Sequence, residues 1–154
     1  MNRITGQKSA RAMKMEEFRL PNNFAQLLRS CQFSREIGEI DAGTAFTHIA
    51  NLSEGIVWSE RLDHDAELQR ILAAYRAAEA AHGLEPDESF APGEAPAVVK
   101  VLDAAFERRA KQLQADVLRQ YGEFDIADLL LSNEAEFLRR HEAGRRKAYG
   151  GRPL

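Results

Sequence analysis

A chain of 154 residues with a formal net charge of −3 is long enough for one domain with a substantial core, and two domains would be cramped. Hydrophobic residues make up 44% and charged residues 29% of it, which excludes a fibrous chain and a chain disordered by its composition. The lone Cys31 excludes an internal disulfide, and we expect it to be a small buried apolar residue. The start of the chain lacks the apolar core of an export signal, and no apolar run reaches membrane-spanning length. We therefore expect a cytoplasmic, non-membrane protein.

The charge is unevenly distributed along the chain. Residues 1–40 contain seven bases and four acids, whereas residues 41–110 contain 13 acids and six bases. We expect residues 1–20 to form a flexible basic arm. A short helix around Ala12–Phe18 could form within it and would end before Pro21, because the residue preceding a proline avoids helical angles. Residues 21–150 should then form a single helical domain.

Two predicted helices follow the arm. Asn23 should cap a first helix that runs to about Ile40, and a break is expected near Asp41–Gly43 because glycine disfavours a helix interior by about 1 kcal/mol relative to alanine. Thr44 should cap the second helix, which runs to Leu62. The buried stripe of the first helix comprises Phe24, Leu27, Leu28 and Cys31. That of the second comprises Ala45, Phe46, Ile49, Leu52, Ile56 and Val57.

Trp58 falls outside the stripe of the second helix. An exposed tryptophan would indicate a second packing surface, so Trp58 is a candidate partner-binding residue. Alternatively, a neighbouring segment of the same chain covers it.

The third predicted helix begins at Asp63 or Asp65 and ends at Gly83, a residue suited to a left-handed C-cap. Its buried stripe comprises Leu68, Ile71, Leu72, Tyr75 and Ala78. Residues 84–96 then contain three prolines, one glycine and four acids. This composition predicts an acidic, proline-rich surface loop without regular structure.

The fourth predicted helix has Pro96 in its first turn and runs to about Tyr121. Its buried stripe comprises Val98, Leu102, Ala105, Phe106, Leu113 and Val117. Asp125 should cap a short fifth helix that ends at Leu131.

A hydrophobic staple between Phe124 and Leu129 is expected at the start of that short helix. Asn133 should cap the last helix, which runs to about Tyr149. Every long apolar pattern in the chain has the helical period. The predicted fold is therefore all-α, an irregular bundle of five or six helices with a flexible N-terminal arm.

Four polar residues fall on otherwise apolar helix faces: Ser53, Glu60, Arg109 and Asp116. A buried charge needs a partner, so Glu60 and Arg109 are candidates for an interhelical ion pair. The alternative is that these positions lie at the rim of the helices.

Glu79 and His82 form a Glu-x-x-His pair, a spacing that contributes ligands to di-metal sites in helical bundles. Such a site needs a second Glu-x-x-His, which the sequence does not contain. We therefore predict no metal and no cofactor. If a metal did bind, Glu79 and His82 would be the candidate ligands.

Arg76 and His82 have the Arg-x(4–6)-His spacing that resembles the motif of the HEPN superfamily, all-α proteins that are often RNA-cleaving toxins acting as dimers. The resemblance implies a general acid–base role for His82 and charge stabilisation by Arg76. It covers seven residues, and residues 77–81 lack the polar residue that often follows the family's arginine.

The last predicted helix carries a basic face made of Arg139, Arg140, Arg146 and Lys147. The broadly opposite side comprises Phe137, Leu138, His141 and Ala148. The basic face could bind a phosphate backbone or an acidic protein surface, and the acidic net charge of the chain favours the protein. We expect His141 to be a core or rim histidine rather than a ligand.

The sequence contains no nucleotide-binding loop, zinc-ligand spacing or nucleophile elbow. Catalysis usually needs convergent polar groups, and here they are sparse, which leans against an enzyme. The interpretation is a non-catalytic helical protein-interaction module, a cytoplasmic adaptor or regulator that self-associates or binds a protein partner. The alternative, ranked second, is a phosphate-directed function as a HEPN-like RNA-cleaving or nucleic-acid-binding bundle.

Overall fold

The computed structural model describes residues 3–4, 23–86, 88–91 and 93–150. This part of the chain is dominated by six α-helices, which confirms the predicted all-α class. In chain order they are α1 (Phe24–Glu36), α2 (Ala42–Ile56), α3 (Ala66–Ala81), α4 (Ala97–Gln120), α5 (Phe124–Ser132) and α6 (Glu134–Tyr149). A π-helical turn, Val57–Arg61, and a 3-10 turn, Leu62–His64, connect α2 to α3.

Two very short strands accompany the helices. β1 (Arg3–Ile4) pairs antiparallel with β2 (Ser89–Phe90), with Arg3 opposite Phe90. The prediction that the loop 84–96 contains no regular structure is therefore wrong at β2, because backbone pairing with a distant segment does not depend on local composition. The rest of the predicted basic arm lies outside the described residues. None of the described helices is long and apolar enough to cross a membrane.

Local capping chemistry determines most helix ends. Asp65 Oδ2 accepts a hydrogen bond from the Leu68 amide at 3.0 Å, and Asn133 Oδ1 accepts one from the Glu136 amide at 3.2 Å. Asp65 therefore begins α3, and the cap of α6 is confirmed. Gly150, with φ of +62°, ends α6 as expected.

Two predicted helix boundaries of the first pair are wrong. α1 ends at Glu36 rather than near Ile40, since Gly38 adopts a left-handed φ of +78°. α2 is capped by Asp41 rather than Thr44. The Asp41 carboxylate accepts from the Thr44 amide at 2.7 Å, which starts the helix before the glycine that was expected to prevent it.

The start of α5 also differs from the prediction. The helix begins at Phe124 itself, with Glu123 rather than Asp125 at the cap position. The expected staple with Leu129 is therefore wrong, because Phe124 is the first residue of the helix and does not precede the cap. Its side chain is 60% exposed. The Glu123 side chain does not cap because it is committed to other partners, described below.

The chain divides into two compact units, and the division falls within α4. One, here called the α6 unit, comprises residues 22–57 and 111–154. The other, the α3 unit, comprises residues 1–21 and 58–110. The single domain 21–150 stays a prediction.

In the α6 unit, α2 packs against both α1 and α6. The rings of Phe46 and Phe137 meet with centroids 5.4 Å apart. Near the end of α6, Gly144 approaches the α2 backbone so closely that a Cβ there would lie 2.0 Å from the Gly43 carbonyl oxygen. A glycine at position 144 is therefore required by this helix contact.

In the α3 unit, residues from one face of α3 and from the first half of α4 form the core. Its buried apolar residues include Leu62, Leu68, Ile71, Tyr75, Val99 and Phe106. Leu72, the middle residue of the predicted stripe of α3, is only half-buried, so its predicted burial in the core is wrong, whereas Ile71 of the same stripe is buried. Likewise Val99, not the 50% exposed Val98, is buried at the start of α4. In both helices the buried residue is the sequence neighbour of the expected one, which is about 100° away around the helix.

Candidate interaction surface

The histidine and arginine that resemble a HEPN pair lie at the end of α3. His82 is the C-cap residue, and its Nδ1 lies 2.8 Å from the Ala78 carbonyl oxygen of the preceding turn. Its exposed ring meets Phe90 edge-on, with centroids 5.7 Å apart. Arg76 is exposed and lines a groove of about 360 Å³ together with Glu79, Ala80 and residues 83–86. The histidine is thus held by its own helix end.

The metal hypothesis rests on Glu79 and His82. Within the described ranges, no group of three or more His, Cys, Asp or Glu side chains could hold a metal ion. Among the described residues, the structure therefore brings no third His, Cys, Asp or Glu ligand to Glu79 and His82.

The ion pair predicted between Glu60 and Arg109 is wrong. Arg109 Nη2 and Nε donate to the two carboxylate oxygens of Asp65 at 2.6 and 3.0 Å, and Glu67 lies 3.4 Å from Nε. The hydrogen bond from Arg109 is the main reason why the pKa of the Asp65 carboxyl is lowered. Glu60 is exposed. The helix-capping residue therefore also holds the arginine of α4.

The other two polar positions have separate explanations. Ser53 is buried, donates to the Ala50 carbonyl at 2.8 Å and accepts from Gln114 Nε2 at 3.0 Å. Asp116 is 58% exposed and lies 3.9 Å from Arg119, as the rim alternative predicts. Neither is a candidate for chemistry.

Trp58 does not form an exposed patch. It is 9% exposed, and its ring packs against Phe106 with centroids 5.5 Å apart. The expectation of an exposed tryptophan is therefore wrong, and the alternative, cover by the same chain, is what the structure shows. Trp58 lies in the π-helical turn that follows α2, where the regular helical period used to place it does not apply.

The basic face of α6 is balanced by glutamates on the same helix. Arg139 and Arg140 both bond Glu136, and their hydrogen bonds lower the pKa of this carboxyl to about 2. Glu142 is bonded in the same way by Arg145 and Arg146, and its pKa also falls to about 2. Arg139, Arg140 and Arg146 remain exposed.

Lys147 lies apart from these pairs, near the start of α2. Its Nζ would lie 3.5 Å from a Cβ placed on Gly43. Its charge is one of the smaller causes of the lowered pKa of Asp41, after the hydrogen bond from the Thr44 amide. The predicted basic face is thus a mixed-charge surface, and its partner-binding role stays a prediction.

The side of α6 opposite the arginines is only partly apolar. Phe137 is buried, whereas Leu138 is 56% exposed. His141 is half-buried, stacks on Phe137 and places Nε2 2.8 Å from Asn51 Oδ1. Burial lowers the pKa of His141 and favours the neutral ring. This is the rim histidine that the sequence predicts.

A buried carboxylate that the sequence analysis did not identify joins α1 to the connection between α4 and α5. Glu123 is 8% exposed and accepts two hydrogen bonds from Arg35, at 2.8 and 2.9 Å. Gln32 Nε2 donates to the same carboxylate at 2.6 Å and to the Tyr121 carbonyl at 2.8 Å. Burial raises the pKa of Glu123, but the bonds from Arg35 and Gln32 outweigh it, so the net shift is downward. The cluster fixes which side of α1 faces inward.

We expect Glu123→Gln to destabilise the protein by about 1–3 kcal/mol at neutral pH, because a buried charge-assisted bond is lost. The folded-state pKa lies below the ordinary value of 4.5, so the stabilisation is present above that pH and is lost as the pH falls through the folded pKa. Urea unfolding at a series of pH values from neutral to acidic should show that the free energy of unfolding falls less in Glu123→Gln than in the wild type. Glu39→Gln, at an exposed position, should retain the wild-type pH profile.

With Gln32 and Arg35 turned inward, the opposite side of α1 faces outward. This side, the α1 face, comprises five residues of the helix and its two cap residues: Gln26, Leu27, Ser30, Phe33 and Ser34, with Asn23 and Ile37 at the ends. At 100° per residue these positions fall within an arc of about 120°. Leu27 is 43% exposed, Phe33 60% and Ile37 50%, and none of the seven residues is charged.

The predicted stripe of α1 is therefore wrong at Leu27 and right at Leu28, which is fully buried. Cys31 is half-buried and donates weakly to the Ala45 carbonyl at 3.9 Å, and burial raises the pKa of its thiol. The recurrence of Leu27, Phe33 and Ile37 is the sequence signal that could have revealed a second apolar side.

An exposed helix face normally carries charged residues, and large apolar patches without them mark interaction surfaces. The α1 face is the described surface that best fits such a role. Comparison of the chain with protein-family models, with curated proteins and with solved structures finds no match.

Proposed function

We propose that this protein is a non-catalytic helical interaction module, a cytoplasmic adaptor or regulator that binds a protein through the α1 face. The observation that carries the proposal is the exposure of Leu27, Phe33 and Ile37 on one uncharged side of a helix. Transfer of apolar surface out of water contributes about 25 cal/mol per Å², so covering this side with a partner is favourable.

The placement of the polar residues supports this proposal. Two polar residues singled out in the sequence have structural partners. His82 lies within hydrogen-bond distance of the Ala78 carbonyl at the end of its own helix, and Arg109 donates to the capping Asp65. The phosphate-directed alternative requires Arg76 and His82 to converge on one phosphate. The position of the His82 ring against Ala78 and Phe90 favours the interaction module.

The arginines of α6 have a secondary role in the proposal. Arg139, Arg140 and Arg146 are exposed and paired with glutamates of their own helix, so we propose them as a secondary polar contact for a partner and not as part of the α1 face. Trp58 has no place in it, because its side chain is buried.

A site-specific photo-crosslinker tests the proposal. The probe replaces Ser30, at the centre of the α1 face, in protein expressed in its native cell, and the adducts are identified by mass spectrometry. We expect a defined protein adduct that is lost when Ile37→Asp is added, because a charge placed on the face opposes desolvation. Leu138→Asp, at a leucine of similar exposure on α6, should leave the adduct unchanged.

Two results would contradict the proposal. One is the absence of any protein adduct from the Ser30 probe. The other is an adduct that persists in the Ile37→Asp variant to the same extent as in the Leu138→Asp control, which would show that the probe records random collisions.

A further inference from the structure

We propose that the α1 face binds the α1 face of a second copy of this chain, with the two helices antiparallel and related by a twofold axis near residue 32. This inference rests on the proposed function and specifies its partner. It follows from the positions of the apolar and the charged residues along α1, which are independent of each other.

The apolar residues are symmetrically spaced for such a pair. Leu27 lies five residues before position 32 and Ile37 five residues after it. In an antiparallel pair centred there, Leu27 of each copy faces Ile37 of the other. Phe33, the most exposed of the three, lies one residue from the centre, so the two phenylalanines meet close to the axis. The interface is isologous, as a twofold pair requires.

The charges that border the face have nearly the same centre. Arg29 and Glu36 are seven residues apart, which places them on one line along the helix, next to Phe33. Their midpoint lies between residues 32 and 33. An antiparallel pair brings this flank of the two helices together, so Arg29 of each copy meets Glu36 of the other, whereas a parallel twofold pair places the flank of the two copies on opposite sides of the interface, where these charges do not meet. Both residues are exposed, and Arg29 lies over the Tyr121 ring, 4.6 Å from its centroid.

The size of the face sets the strength of the association. α1 has 13 residues, a length of about 20 Å, so a single helix pair buries less than the area of a standard stable interface. The dimer should therefore be weak and depend on concentration. The absence of charge within the face allows two copies to meet without repulsion at the centre.

Sedimentation equilibrium of the full chain, from about 10 µM to about 1 mM at low salt, tests the inference. We expect a monomer–dimer equilibrium that Phe33→Asp weakens at least about tenfold. Glu36→Arg should weaken it as well, because each Glu36 position would then face the Arg29 of the other copy. The double variant Arg29→Glu with Glu36→Arg should restore the association, because the pairing is preserved with its signs exchanged. Leu138→Asp is the matched control, and circular dichroism checks that each variant is folded.

A monomer at the highest concentration would overturn the inference. A dimer that is insensitive to Phe33→Asp, or one that the double variant fails to restore, would overturn the antiparallel pairing. If the chain is monomeric but the Ser30 probe still gives a different protein as an adduct that depends on Ile37, the partner is another protein and the proposed function stands. Adducts between Ser30 and residues 1–22 of the same chain would assign the face to that segment and overturn both.

Discussion

Gly144→Ala should destabilise the protein by about 3 kcal/mol, near the upper end of the usual cost of overpacking. The added Cβ would lie 2.0 Å from the Gly43 carbonyl oxygen and 2.2 Å from Thr47 Oγ1. The nearer atom belongs to the backbone, so relief requires α2 and α6 to separate. Separation would also stretch the 2.7 Å hydrogen bond from the Thr47 hydroxyl to the His141 carbonyl.

Gly43→Ala is the matched control on the opposite helix. A Cβ at this position meets Asp41 Oδ1 at 3.4 Å and Lys147 Cδ at 3.5 Å, both ordinary contacts with side-chain atoms. Alanine is also the better helix former, by about 1 kcal/mol in a helix interior. This variant should therefore be as stable as the wild type or slightly more so. Urea unfolding followed by circular dichroism compares the two, and equal midpoints for both variants would refute the close contact between these helices.

The helix ends show what the sequence could predict. Asp65, Asn133 and Gly150 act through hydrogen bonds and backbone angles within one turn of their own position, so their roles can be inferred locally. The same local chemistry explains the error at α2, where Asp41 caps a helix whose first turn tolerates a glycine.

Partners that are distant in sequence could not be predicted. Nothing near Arg109 distinguishes Asp65 from Glu60 as its partner, because the choice depends on how α4 crosses the start of α3. Glu123 follows a turn glycine and has no local sign of its bond to Arg35, 88 residues away. The requirement for Gly144 also arises only when α2 and α6 are in contact.

The α1 face could be predicted from the sequence only in part. The sequence of a helix can show that two of its sides are apolar. It does not show which of the two sides is covered by the rest of the chain. On α1 the decision comes from Gln32 and Arg35, whose bonds to Glu123 turn Leu28 inward and leave Phe33 and Ile37 exposed. The face was therefore present in the pattern, and its exposure required the tertiary structure.

Phe106→Ala should destabilise the protein by about 3–5 kcal/mol, through lost burial and the cavity that remains. Phe106 is 6% exposed and packs against Trp58. Leu72→Ala is the comparison, since the sequence places both residues at the centre of a stripe but the structure buries only Phe106. At a half-buried site less area is lost and water can fill the space, so we expect a loss below about 2 kcal/mol.

Trp58 provides an independent signal for the same pair of variants, because it is the only tryptophan in the chain. A cavity in place of the Phe106 ring removes its aromatic neighbour, so the native fluorescence of Trp58 should change in intensity or wavelength. Leu72→Ala should leave that fluorescence unchanged while it lowers stability slightly. Equal losses of stability in the two variants, or a loss below about 1 kcal/mol for Phe106→Ala, would mean that the core of the α3 unit is not centred on this aromatic pair.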